Sequence, residues 1–211
     1  MKLRTQDSSA VMPDQPTQIL YDHYKDTCAI TGEAIKRRDR LMLFVVLVLG
    51  FFAFQAIFPT DSNAVVNQFL TFKFGLTQKF DLSVIGNVVW FLLLIFTIRY
   101  LQIAVFVGRQ HAYIHTVEEK LNKELGKELV TREGKSYLGK YPRYSDWMWM
   151  LYTIVFPVLL LIISAVKIFG ETEQACGSKW SIGFLLDSTA FALLAVSIVL
   201  YLMMVHGKSK D

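Results

Sequence analysis

Four apolar stretches restrict this chain to one kind of fold. They run from Leu41 to Phe58, Val84 to Val107, Trp147 to Phe169 and Ile182 to Val205. Each is close to the roughly 20 residues a helix needs to cross hydrocarbon. The first carries no charge, and the others carry one charged side chain each: Arg99, Lys167 and Asp187. Buried helices of a soluble bundle keep a polar face at the 3.6-residue period. The first stretch has no such face, and the fourth has only a stripe of small residues. The expected fold is therefore all-α and integral to a membrane: four transmembrane helices with cytoplasmic helical extensions. An apolar content of 53%, above the ~45–50% of soluble domains, agrees.

Lys and Arg give the orientation, because basic residues accumulate on the cytoplasmic side. Of the 22 in the chain, seventeen precede the first stretch, lie between the second and third, or follow the fourth. Lys73, Lys79 and Lys179 fall on the other side, and Arg99 and Lys167 lie inside spans. Both termini and the 108–146 segment are thus expected in the cytoplasm, and this asymmetry accounts for the pI near 9 without nucleic acid as a partner. About forty mostly polar residues come before the first span, so it is expected to be a retained anchor and not a cleaved signal. Cys28 and Cys176 fall on opposite sides, which excludes a disulfide within one chain.

The layout follows. Residues 1–13 are polar and mixed in charge, the composition of a disordered tail. Asp14-Gln15-Pro16-Thr17 reads as a helix start, and Ile19, Leu20, His23, Tyr24, Thr27, Cys28, Thr31 and Ile35 then recur at helical spacing. This 14–40 helix is expected to continue into the first span. The second span is expected to continue past Arg109 to a cap at Gly126, with Ile114, Val117, Leu121 and Leu125 as a narrow apolar seam. The first hairpin, 41–107, holds an outer segment, 59–83. There Thr60-Asp61-Ser62 signals a helix cap, ahead of an apolar run too short to span, which predicts an interfacial or re-entrant helix. A small hairpin is expected around Glu133-Gly134, followed by an aromatic belt of Tyr137, Tyr141, Tyr144, Trp147 and Trp149. Pro157 should kink the third span. The second hairpin ends at 205, and 206–211 is a short tail.

Chemical motifs are nearly absent: the chain has no P-loop, GxSxG, HExxH or CxxC pattern. An enzyme is not expected, nor is a cofactor. His111 and His115 stand four apart on one helix face, as zinc ligands do, and His23 lies on the neighbouring helix, but no third ligand is convincing. Solvated or packed histidines are the simpler reading. Ionisable residues within spans are costly and are functional candidates by default. Arg99 lies about 15 residues into its span, roughly 22 Å at helical rise. It either snorkels to cytoplasmic headgroups or faces a polar interior. Lys167 and Asp187 sit at similar depth near the outer ends of their helices and could pair, a structural role. Ser188, Ala190, Ala192, Ala195 and Ser197 allow close helix approach in lipid. A homo-oligomer, taken as a tetramer, is expected to pack through the third and fourth spans, leaving the Phe- and Leu-rich first and second spans toward lipid. Arg132, Lys135, Tyr137, Lys140 and Arg143 form a basic, tyrosine-interleaved candidate surface for a cytosolic protein partner.

The layout resembles the small four-span membrane subunits of bacterial anti-phage defence systems, such as the membrane subunit of Kiwa and channel-forming effectors. The segment AYIHTVEEKLNKELGKELVTREGKSYLGKYPR is similar to the corresponding loop of many bacterial membrane proteins. The resemblance implies an oligomer of the bacterial inner membrane. Such an oligomer either senses envelope disturbance and recruits a cytosolic partner, or opens and depolarises the cell. Cytoplasmic surface is the richer feature of this chain and pore lining the poorer one. The sensor or scaffold is therefore the expected function, with a cytoplasmically gated channel as the alternative.

Overall fold

A computed structural model of the protein describes residues 15–75, 82–131, 147–148, 150–176 and 182–207. Among these residues every regular element is helical. Helix α1 is Gln15–Ile57, α2 is Pro59–Phe74 and α3 is Leu82–Leu125. A π-helical turn at Leu151–Val155 leads into α4, Phe156–Cys176, and α5 is Ile182–Gly207. Three of these helices are long and apolar enough to cross a membrane: Ile85–Leu125, Leu151–Glu173 and Ile182–Val205. The described residues are thus all-helical and consistent with a multi-pass membrane protein. The apolar half of α1, from Leu41 on, belongs to one unbroken helix with the polar half that precedes it, and Gly32 does not interrupt it.

The described chain divides into two compact units. One contains the residues up to Ala34 together with those from Phe106 to 131; the other contains Ile35–Val105 and the residues of α4 and α5. Each of α1 and α3 contributes one stretch to each unit.

In the larger unit the core is built from one stripe of each long helix. Val45, Leu49 and Phe52 come from α1; Trp90, Leu93, Leu94, Tyr100 and Leu101 from α3; Leu160 and Ile168 from α4; and Ala190, Leu194, Ile198 and Tyr201 from α5. The steps of three and four residues are those that keep side chains on one helix face. Trp90 lies at the centre, fully buried, with its ring 4.8 Å from Phe52 and 6.2 Å from Phe191, both edge-on. Edge-to-face pairs of this kind are worth about 0.5–1.5 kcal/mol beyond the area they bury. The opposite faces carry large exposed apolar side chains, among them Leu47, Ile95, Ile162, Val196 and Leu200.

The bulk of α3 serves two faces. Of its apolar stretch 33% is buried, against 22% for α4 and 22% for α5, while Val88, Leu92 and Ile95 on its other side are exposed. On the buried side Trp90 and Tyr100 fill the space between helices that smaller side chains leave open. The small-residue stripe of α5 is split accordingly. Ala190 enters the core, whereas Ala192 is exposed and the packed face runs through Asp187, Ala190, Leu194, Ile198 and Tyr201.

Two local departures have plain causes. Helix α2 begins at Pro59, with Phe58 as its cap residue and no side-chain capping bond, so Thr60-Asp61-Ser62 lies inside the first turn. Proline needs no N–H there and is preset to helical φ, while Asp61 favours the positive end of the helix dipole. Gly75 ends α2 with φ 65° and donates its N–H to Thr71 O at 2.9 Å; the left-handed conformation is cheap only for glycine. Phe69, Phe72 and Phe74 of α2 are exposed. Ahead of Pro157 the helix widens, and Phe156 N–H donates to Leu151 O, five residues back. Proline removes one helical bond and crowds the carbonyl four residues before it, and a π turn accommodates both. The expected hairpin around Glu133-Gly134, the aromatic belt from Tyr137 to Tyr144 and the 1–13 tail lie outside the described residues.

Truncating the central ring should therefore loosen the whole larger unit. Trp90→Ala is expected to cost about 3 kcal/mol, the lower end for a buried Trp, since apolar solvent replaces some of the lost contact. Thermal unfolding of the detergent-solubilised protein reads this as a clear drop in midpoint, with Trp90→Phe falling between Trp90→Ala and the parent.

Candidate functional site

The smaller unit is a pair of helical stretches with its own seam. Ile114, Val117 and Leu121 of α3 are buried, as their spacing predicts, and so are Thr27, Thr31 and Ala34 of α1. The α1 side of the seam is mostly polar. Thr27 and Thr31 return their hydroxyls to the backbone, donating to His23 O and Thr27 O at 2.8 Å each, which satisfies them without a partner on α3. Two pairs tie the stretches together. Tyr24 Oη donates to Glu118 Oε1 at 3.0 Å, and His23 Nε2 shares a hydrogen bond with Tyr113 Oη at 2.9 Å. Glu118 is 2% exposed, so this carboxyl is an interior element of the seam. Burial, with the Glu118 contact second, raises the Tyr24 hydroxyl above its usual pKa of 10.

The far end of the unit is closed by Asn122. Its Nδ2 donates to Val130 O at 2.6 Å, and its Oδ1 accepts from Leu129 N–H at 3.0 Å and Val130 N–H at 2.9 Å. Gly126, the expected cap, adopts φ 63°. The chain therefore folds back along α3 immediately after the helix ends.

Outside the seam this unit shows large apolar and aromatic side chains. Ile19, Tyr21, Ile30, Tyr113 and Leu129 are exposed, Ile19 by 64% and Leu129 by 68%. Leu125, expected within the seam by its spacing, is exposed, because the packed stretch ends at Leu121. Arg132, Lys135, Tyr137, Lys140 and Arg143, the residues expected to bind a partner, lie outside the described residues.

The histidines are not gathered. His23 is engaged with Tyr113, His115 Nε2 lies 3.4 Å from Glu119 Oε1, and His111 is half-buried on α3. Among the described residues no three His, Cys, Asp or Glu side chains converge as metal ligands.

In the larger unit the three ionisable residues of the apolar stretches occupy different environments. Arg99 is exposed, with its Nη1 donating to Gln102 Oε1 at 3.3 Å. It shares its helix face with the exposed Val88, Leu92 and Ile95, the face turned away from the core. Its depth is fixed by its neighbour Tyr100, whose hydroxyl donates to Tyr152 O at 3.2 Å, while Arg38 lies over the Tyr152 ring at 5.9 Å. Arg99 is therefore at the level of the basic run 36–40. Lys167 pairs with Glu171 on its own helix at 3.0 Å. Asp187 on α5 is buried and feels the charges of both Lys167 and Glu171. Glu171 did not figure in the expected pairing, although its i, i+4 spacing from Lys167 is a signal that sequence carries. Gln55, Thr97 and Ser164 add buried polar side chains from α1, α3 and α4, which no periodic stripe in the sequence announces.

No protein-family model, no curated protein and no solved structure matches the chain.

The Tyr24–Glu118 bond generates a prediction of defined sign. A raised pKa means that the folded state holds the Tyr24 proton more tightly than the unfolded chain. The associated stability is present below pH 10 and is lost as pH rises above it. Tyr24→Phe should cost about 1–2 kcal/mol at neutral pH and should flatten the fall in helical ellipticity above pH 10. An unaltered alkaline profile would remove Tyr24 from the account.

Proposed function

We propose that the protein is a four-span scaffold of the bacterial inner membrane whose cytoplasmic helix pair docks a cytosolic protein partner. In this reading the apolar half of α1 is the fourth span, both termini lie in the cytoplasm, and the chain works as a homo-oligomer. The setting in anti-phage defence follows the resemblance of layout alone.

The observation that carries the docking role is the surface of the smaller unit. Its internal contacts are satisfied by the Ile114–Val117–Leu121 seam and the Tyr24–Glu118 bond. Ile19, Tyr21, Ile30, Tyr113 and Leu129 nevertheless remain exposed. Ile19 and Ile30 fall on one face of α1 at the helical period; exposed apolar side chains that share a face mark interaction sites more often than chance, and aromatic residues are enriched where proteins meet. The channel reading draws less support, because Arg99 lies on a face with exposed Val88, Leu92 and Ile95 and not toward the buried polar side chains.

Affinity purification of the full chain from its native membrane, in mild detergent, tests the docking role. A soluble protein in fixed ratio is expected with the parent. It should be lost with Ile19→Glu/Ile30→Glu, while the variant still fractionates with membranes and keeps its helical content. Retention of the same soluble protein by the variant would exclude this surface. Ion flux in liposomes that depends on Arg99 would favour the channel instead.

A further inference from the structure

Two aromatic contacts fix how α1 and α3 run past each other within the larger unit. Phe52 meets Trp90 and Phe44 stacks on Phe96 at 5.6 Å. Falling numbers on α1 pair with rising numbers on α3, so the two stretches are antiparallel. From the Phe44–Phe96 stack, Arg40 lies four residues along α1 and Arg99 three residues along α3, both toward the same end. At helical rise these steps are about 6 Å and about 4.5 Å, so the two arginines stand level to within roughly 1.5 Å.

Their direction follows from the helical turn. At about 100° per residue, Arg40 is rotated about 40° from Phe44, and Arg99 about 60° from Phe96. Because the helices are antiparallel, the two rotations carry both side chains to the same side of the pair. That side is either into the interface or out of it, and exposure decides: Phe44, Arg40 and Arg99 are all exposed. The same rotations place Leu47 of α1 and Leu92 of α3 on that outer side, and both are exposed. One furrow thus has an aromatic floor, aliphatic walls on the outer-leaflet side of the stack and an arginine on each bank at its other end. Asp39, the only acidic residue in 34–60, is taken by Arg38 at 2.8 Å and leaves the positive charge of the furrow in place.

We propose that this furrow binds an anionic phospholipid, with Arg40 and Arg99 holding the headgroup phosphate and an acyl chain lying along Phe44, Leu47 and Leu92. Arginine forks suit phosphate oxygens. Apolar side chains continuing from the charged end select a lipid over a free phosphate, which has no use for them. Gln102, already hydrogen-bonded to Arg99, orients that guanidinium. Arg99 is then a lipid ligand and not an interior charge. The proposal rests on α1 crossing the membrane, and it is independent of the docking role.

Native mass spectrometry of the full chain in nonionic detergent tests it, with dioleoylphosphatidylglycerol, dioleoylphosphatidylcholine and glycerol 3-phosphate as probes. The parent should retain phosphatidylglycerol in preference to phosphatidylcholine, and glycerol 3-phosphate at equal concentration should not displace it. Arg40→Gln and Arg99→Gln should each weaken phosphatidylglycerol about fivefold, the worth of one basic residue at an anionic surface, whereas Lys120→Gln should not. Equal retention of the two lipids by the parent overturns the proposal, and this comparison holds even if a variant fails to fold. Displacement by glycerol 3-phosphate overturns it in favour of a free-phosphate site, and undiminished phosphatidylglycerol binding by the combined Arg40→Gln/Arg99→Gln variant overturns it in favour of another site. If α1 does not cross, neither lipid is taken up along it, an outcome distinct from uptake without headgroup preference.

Discussion

Hydrocarbon offers no hydrogen-bond partner, so every backbone polar group within it has to be satisfied inside the chain, and helices are the only open elements that do this. The larger unit follows that constraint where it is most apolar: α3, α4 and α5 are unbroken across their apolar stretches, and the π turn before Pro157 bonds Phe156 N–H to Leu151 O. The same solvent explains the side chains. Leu47, Ile95, Ile162, Val196 and Leu200 face outward, an arrangement that water penalises and lipid does not. With no hydrophobic gain from helix contact in lipid, packing has to hold the bundle together, and the Phe52–Trp90–Phe191 cluster supplies it.

Polar groups are distributed according to the same rule. In the apolar stretches of the larger unit they are few: Lys167 pairs with Glu171, Asp187 is buried within reach of their charges, and Arg99 stands at the Arg38–Tyr152–Tyr100 level. In the smaller unit a buried glutamate is held by a tyrosine across the seam, and an asparagine closes the chain back on its helix. The first arrangement suits a membrane. The second suits a unit that keeps its own geometry while presenting Ile19, Ile30 and Tyr113 on its surface.

Much of this was legible from residue order, and the rest was not, for reasons that differ by site. The helices were, because apolar length and the lack of a polar face leave no alternative. The seam of Ile114, Val117 and Leu121 was, because three- and four-residue steps leave a periodic trace. Glu118 was not: a glutamate next to a seam reads as solvated unless the tyrosine opposite is known, and that tyrosine is 94 residues away. The buried face of α3 was not, because Phe- and Leu-rich spans look alike whether they face lipid or a neighbour, and only three-dimensional packing around Trp90 separates them. The outward face of Arg99 was half legible, since Val88, Leu92 and Ile95 share its side of the helix, but assigning that side to the exterior required the position of Phe96 against Phe44.

The central claim is that lipid solvates the larger unit, with the apolar half of α1 as one of its spans. Cysteine labelling in sealed vesicles of known sidedness tests it most directly. In a Cys176→Ser background, the native Cys28 precedes the apolar half of α1 and an Asn67→Cys change in α2 follows it. The account predicts that a membrane-impermeant maleimide labels one of the two in intact vesicles and the other only after permeabilisation. Labelling of both from the same side would contradict it.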